Sequence, residues 1–411
     1  MSEVKILSRI SEYGNLVSAV PDKNEPVYNW HAFKHSYSKK LVEKLVTMFG
    51  LKENDWVLDP FSGGGTTLLA CKELGINSRG FDILPFSVFL TNVKTRSYNA
   101  SDLVEHLNIF QDASKVSSTS LRNLPDIGIA KTAFSLGVKK ELLKLHKEIT
   151  NIRIGKHRDF YMLALLSILE SVSNTSKAGG FLRITKRRIL SKDVRPLFLA
   201  RVMQMIEDVK SFNKNQNYRN IDSITELADA RNFVTERKFD AIITSPPYPN
   251  RHDYTRIYGL ELIFNFVEDN KAMKQIRYDT LRSHVEARKR FETKQYKEPK
   301  IVQQLISKIK KAGINNSKVP EMITGYFEDM YLVLRQMQKS LKKNGKIALV
   351  VSNVQFSGVA VHVDEILADI GNQVGLTPVA IYTARYRGNS AQQMDIYKRQ
   401  PTRESVVVWE N

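Results

Sequence analysis

Cysteine is almost absent: Cys71 is the single one in 411 residues. One thiol can neither close an intramolecular disulfide nor furnish a Cys-rich zinc site, so no metal is expected and a reducing cytoplasm is. Long apolar runs are missing too. The richest, residues 161–169, is far shorter than a bilayer span and reads as a buried helix. The opening MSEVKILSRISEYG has no apolar segment followed by a small-residue cleavage site, so neither a secretory signal nor a membrane partner is expected. Internal repeats and low-complexity tracts are lacking. Acidic residues are the minority: 43 Asp and Glu face 62 Lys and Arg, a formal charge of +19. Basic side chains gain affinity by releasing counterions from phosphates, so this surplus points to nucleic acid as the partner. A 42% hydrophobic fraction marks an ordinary globular chain, long enough for one large α/β domain with insertions.

What is present is an alternation of strands and helices. Trp56-Val57-Leu58-Asp59 is an apolar run ending in an acid, followed by a Gly-rich turn and LLACKEL: strand, tight loop, helix. A second strand, residues 78–82, also ends in an acid. Further strands fit residues 239–244, 346–352, 378–382 and 405–409. Near-continuous apolar runs between helical segments predict a doubly wound α/β fold with a mostly parallel sheet covered on both faces. Two stretches break the pattern. Residues 99–217 show helical periodicity, notably at 139–150 and 159–173, with no convincing strand, and read as a helical insertion. Residues 271–321 are polar and basic and read as a mobile or DNA-facing insertion. The remaining segments, 1–98, 218–270 and 322–411, form the principal domain.

Two motifs carry chemistry. DPFSGGGTT, residues 59–67, lies at the carboxyl end of the first strand, where open α/β sheets bind ligands, and its glycines allow close backbone approach. No Gly-Lys-Ser/Thr follows, which excludes a phosphate loop, and the GxGxxG dinucleotide fingerprint is absent. Asp82, one βα unit later, is placed to accept hydrogen bonds from both ribose hydroxyls of a nucleoside cofactor. The second motif, FDAIITSPPY, is a buried strand emptying into Ser245-Pro246-Pro247-Tyr248, a turn rigidified by two prolines. His252 and Asp253 follow as an isolated pair, read as structural. No HxE with a downstream CxxC exists, so zinc-dependent deamination is excluded.

DPFSGGGTT, GFDILP and SPPY in this order resemble the amino-group DNA methyltransferases, over about residues 27–98, 223–268 and 326–411. The resemblance implies a methyltransferase sheet ending in an antiparallel hairpin, supplied here by PVAIYTARYR and ESVVVWEN. It implies S-adenosylmethionine as cofactor, held by Asp59, Pro60, Phe61, Gly63, Gly65, Thr66, Thr67 and Asp82. An upstream segment, NWHAFKHSYS, adds Lys34 and Ser38 at the methionine end, and ELADARN adds Asp229 at the adenine. Ser245, Pro246, Pro247 and Tyr248 become the catalytic residues. An exocyclic amino group is a poor nucleophile because its lone pair is delocalised. The Ser245 hydroxyl and the Pro246 carbonyl would accept its two hydrogens, while Tyr248 stacks the flipped base.

The Ser-led tetrapeptide favours cytosine N4 over adenine N6 by analogy with the family. Cytosine carbon-5 chemistry needs an attacking thiolate, and Cys71, within LLACKEL, is a core residue. The resemblance implies double-stranded DNA as partner, a bacterial or archaeal cytoplasm, and a restriction-modification setting, in which a companion endonuclease is an open possibility. DNA contacts are expected at Arg183, Lys186, Arg187 and Arg188, in the 99–217 insertion that lies where one subgroup of the family carries its target-recognition region, and at Arg288, Lys289 and Arg290, on phosphates sooner than bases. Three alternatives stay open: an adenine-N6 enzyme, an RNA or protein amide methyltransferase, and a DNA-binding module without catalysis.

Overall fold

The computed structural model describes residues 4–110, 121–185, 187, 189–214, 221–313, 316–388 and 401–411; Lys186 and Arg188 lie outside them. The strands in chain order are β1 (Ile6–Ser8), β2 (Trp56–Asp59), β3 (Asn77–Asp82), β4 (Thr175–Ala178), β5 (Phe181–Ile184) and β6 (Ser223–Leu227). They continue with β7 (Phe239–Thr244), β8 (Leu341–Ser352), β9 (Val354–Phe356), β10 (Val359–Val361), β11 (Thr377–Arg387) and β12 (Thr402–Glu410). Eight of them make one sheet in the order β1-β11-β12-β8-β7-β2-β3-β6. From β8 to β6 every pairing is parallel. β12 is antiparallel to both β8 and β11, the expected carboxyl-terminal hairpin.

The sheet is buried on both sides. Helices Val319–Ser340 and Val363–Gln373 cover one face with Met330, Leu334 and Leu367. Helices Lys39–Phe49 and Thr66–Glu73 cover the other with Leu41, Leu45, Ala70 and Cys71. Burial drives the Cys71 thiol pKa upward, as expected of a core residue. The chain leaves β2 toward β3 on one side and adds β7 on the other, so the sheet has its switch point at the carboxyl ends of β2 and β7.

The helical stretch after residue 99 has its own apolar centre, built from helices Leu136–Thr150, Gly155–Ile168 and Ser191–Phe212. That centre is continuous with Leu84, Phe86 and Leu90 and with Ile257–Phe264 residues such as Tyr258 and Leu262. No helix among the described residues is long and apolar enough to cross a membrane.

Several strands depart from the sequence reading. The 99–217 stretch does contain strands: β4 and β5 pair as a short hairpin around Gly179, whose φ is +58°. Their sequences, TSKA and FLRI, are too short to show alternation. β1 and β6 are sheet edges, and edge strands need no apolar pattern on both faces. The 271–321 stretch is corrected in part, since helix Lys300–Lys311 docks Val302, Leu305 and Ile309 into the sheet's core while presenting Lys308, Lys310 and Lys311 outward.

Candidate active site

The glycine turn after β2 owes its shape to two contacts. Gly65 has φ +78°, and a Cβ there would meet the Thr91 hydroxyl at 2.9 Å; one at Gly64 would sit 2.8 Å from Phe33. Asp82, at the end of β3, braces the turn from outside. Its carboxylate accepts the Gly63 N–H at 2.9 Å and the Leu84 N–H at 2.8 Å. Asp59 accepts the Phe61 N–H at 3.1 Å and the Thr244 hydroxyl at 2.5 Å, which ties the end of β2 to the end of β7. Burial raises both carboxyls to a pKa of about 6.

Asp59, Pro60, Phe61, Gly63, Thr66 and Asp82 line one cavity, and Asp229, Ser245 and Pro247 reach it from two other loops. Asp229 grips Arg231 through both oxygens, at 2.9 and 2.7 Å, and Arg231 bridges on to Asp329 at 2.9 Å. The Ser245 hydroxyl donates to the Val350 carbonyl at 3.0 Å and lies 3.4 Å from the Tyr248 oxygen.

Six of the expected residues stand outside this cavity. Gly65 shapes the turn. The Thr67 hydroxyl is buried against Tyr37 and donates to the Ile243 carbonyl at 3.3 Å. Pro246 is buried behind the tetrapeptide. Ser38 is fully buried and caps helix Lys39–Phe49, donating to Asp22 at 2.6 Å and accepting the Lys40 N–H at 3.3 Å. Lys34 directs its ammonium to the Lys177 carbonyl. Tyr248 belongs to a second cleft, which shares Phe33, His35, Ser36, Gly64 and Thr66 with the cavity and which Lys34 also lines. There the Tyr248 hydroxyl donates to Glu404 at 3.3 Å, and the Glu404 carboxylate, 2% exposed, pairs with Arg385 at 2.6 Å.

The residues missed come from neighbouring positions and from a distant segment. Phe33, His35, Ser36 and Tyr37 face the cavity where Lys34 and Ser38 were expected, and Ser36 bonds Thr66 at 2.9 Å. The upstream motif was found, but which of its side chains turn inward depends on a loop whose backbone reverses at His35, φ +66°. Thr280, Leu281, Ser283 and His284 also line the cavity, although they fall in the stretch read as a mobile or DNA-facing insertion. Only chain packing brings them there: Arg282 is pinned to Asp329 at 3.0 Å.

The basic candidates separate. Arg183 and Arg187 are exposed, with Arg187 donating to the Glu170 carbonyl at 3.3 Å. Arg288, Lys289 and Arg290 do not act as one patch. Arg288 lies 4.2 Å above the Tyr278 ring, Lys289 turns to within 3.6 Å of Asp229, and Arg290 pairs with Glu321. Asp253 caps the turn after the tetrapeptide by accepting the Thr255 N–H at 2.9 Å, and the His252 ring lies 4.7 Å from His35.

This geometry has relatives. A family model described as DNA methylase matches residues 12–91. Type II methyltransferase M.BsoBI of Geobacillus stearothermophilus is 30% identical over 450 aligned residues, covering 96% of this chain and 87% of its own. Type II methyltransferase M.AvaI of Nostoc sp. strain PCC 7120 is 29% identical, with 96% and 88% covered. Type II methyltransferase M.MjaII of Methanocaldococcus jannaschii is 40% identical over a shorter 89 residues, 20% of this chain and 17% of its own. A relative this similar along nearly all of both chains, joined to a glycine turn, a paired acid and a Ser-Pro-Pro-Tyr loop around one cavity, means that the chain belongs to the N6/N4 amino-group DNA methyltransferase family.

Proposed function

We propose that this protein transfers the methyl group of S-adenosylmethionine to the N4 amino group of a cytosine flipped out of duplex DNA. The observation that carries this reading is the state of Ser245. Its one hydroxyl hydrogen is committed to the Val350 carbonyl at 3.0 Å, so only lone pairs face the cavity. An acceptor of that kind suits a substrate group that must give up hydrogen density, as an exocyclic amino group does.

The cavity's donors and acceptors fit the cofactor. Asp82 is an acceptor for the ribose hydroxyls, with lone pairs left beyond its two backbone bonds. Phe61 and Pro60 offer apolar surface to the adenine beside Asp229, and the Ser36–Thr66 hydroxyl pair offers polar contacts to the amino-acid end. When bound, the cofactor supplies an electrophilic methyl on a sulfonium, so no covalent enzyme intermediate is needed. The protein's share is placement: Ser245, which lines the cavity, accepts a hydrogen of the amino group and localises the lone pair, while Tyr248, its hydroxyl held by Glu404, offers a ring face to the base.

Cytosine rather than adenine rests on the Ser-led tetrapeptide, and duplex DNA rather than RNA or protein rests on the +19 charge and the Type II relatives. The setting is a bacterial or archaeal cytoplasm, where the methyl mark protects DNA from a companion endonuclease. Nucleoside mass spectrometry and single-molecule sequencing of DNA from cells expressing the protein should find N4-methylcytosine at one sequence. N6-methyladenine in its place would overturn the choice of base and leave the mechanism standing. Unmodified DNA from cells that accumulate folded, cofactor-binding protein would overturn the reading.

A further inference from the structure

A small element of the structure exposes more apolar surface than its length warrants. On β5, Phe181 is 54% and Ile184 63% exposed, with Arg183 and Arg187 exposed alongside. Phe181 and Arg183 share one face of the strand. Leu182, on the other, lies close to Gly259. An exposed ring beside exposed arginines, on a hairpin held in a fixed place, is suited to contact with a partner.

The hairpin is also firmly placed. Lys177 on β4 is buried, pairs with Glu261 at 2.5 Å, and lies 4.8 Å from the Tyr258 ring. His31 bonds the same Glu261 oxygen at 2.9 Å. Buried ion pairs add little net stability over apolar packing, so geometric placement is the better account of this trio. Two contacts say where the hairpin is placed. Lys34, in the wall of the second cleft, donates to the Lys177 carbonyl. Gly180 presses on His252 so closely that a Cβ would come 2.7 Å from the imidazole. His252 in turn lies 4.7 Å from His35, which lines both the cavity and the cleft. The turn before Phe181 is therefore fixed against the loop that follows Ser-Pro-Pro-Tyr.

We propose that the β4–β5 hairpin enters the duplex beside the target and that Phe181 fills the space vacated by the flipped base. The inference rests on the base-flipping reading above. Flipping sacrifices stacking and pairing, and an apolar ring inserted into the stack restores part of what is lost. Arg183 and Arg187 add charge suited to the flanking phosphates.

The test uses two duplexes carrying the site mapped with the wild-type protein. In one the target base is paired; in the other it faces a mismatched partner, so pairing is already lost. Single-turnover methyl transfer by Phe181→Ala should slow about tenfold to a hundredfold on the paired duplex and much less on the mismatched one. Phe181→Trp should stay near the wild-type rate on both, and calorimetric affinity for S-adenosylmethionine should be unchanged in both variants. Equal slowing on the two duplexes, or none on the paired one, would overturn the wedge. Failure of the wild-type protein to methylate either duplex would instead overturn the functional reading beneath it.

Discussion

The two walls of the site are built in different ways. The proposed cofactor-side wall is centred on one short stretch, residues 59–82, in which the end of β2, the glycine turn, a helix and β3 follow one another and Asp82 bonds the backbone of the turn. The proposed target-side wall collects residues 245–254, 280–284, Arg385, Arg387 and Glu404 from distant parts of the chain. Local construction makes the first wall rigid through its own hydrogen bonds. The second depends on long-range ties such as Tyr248 to Glu404 and His31 to Glu261. On this comparison, substitutions in the first wall should change cofactor affinity, and substitutions in the second should change the rate on DNA.

The largest effect is expected at Ser245, on the target side. Ser245→Ala should lower the single-turnover rate by roughly a hundredfold to a thousandfold, the usual consequence of losing one transition-state hydrogen-bond partner, while cofactor affinity stays normal. A matching drop in cofactor affinity would break the division between the walls.

Asp82, on the cofactor side, comes next. Alanine there would strand both the Gly63 and Leu84 N–H groups, whereas asparagine, with one amide oxygen, keeps an acceptor for one of the two, so Asp82→Asn is the milder probe. It should weaken S-adenosylmethionine binding about tenfold to a hundredfold and lower the melting temperature less than Asp82→Ala does. The same carboxyl predicts a pH dependence. Burial holds its pKa at about 6, and the ionised form is the better acceptor for ribose hydroxyls. Cofactor affinity should thus be full well above that value and fall, by up to about tenfold per pH unit, below it. Asp59, also near 6, titrates in the same window, so the Asp82→Asn variant should flatten the profile only in part.

The smallest effects separate Lys289 from its neighbour. Arg288→Ala should weaken binding to specific and random duplexes alike and reduce the salt slope by about one. Lys289→Ala should instead act on cofactor affinity, because its ammonium lies 3.6 Å from Asp229, which lines the cavity. A salt slope that falls equally in both variants would put Lys289 on the DNA and dissolve the distinction.

Legibility follows the same division. The glycine turn, Asp82 and Ser245 could be read from the sequence because each sits directly at a strand end, and strand ends are visible as breaks in apolar runs. Lys34 and Ser38 were expected at the cofactor and do not line the cavity, since a loop backbone decides which neighbours turn inward. The 280–284 segment was hidden by its polar, basic surroundings, although Arg282 and Asp329 lock it to a core helix.

Composition and local order alone determined the class of this protein: a basic chain with a mostly parallel sheet, a glycine turn at its first strand end, and a Ser-Pro-Pro-Tyr turn at a later one. These properties depend on residues within about one βα unit of each other, where chain connectivity dictates proximity. Tertiary structure alone decided which side chains share the cavity, why Tyr248 stands in a second cleft beside Glu404, and where the β4–β5 hairpin rests. Those contacts join residues far apart in the chain, and their geometry comes from the packing of whole elements, which no local pattern records.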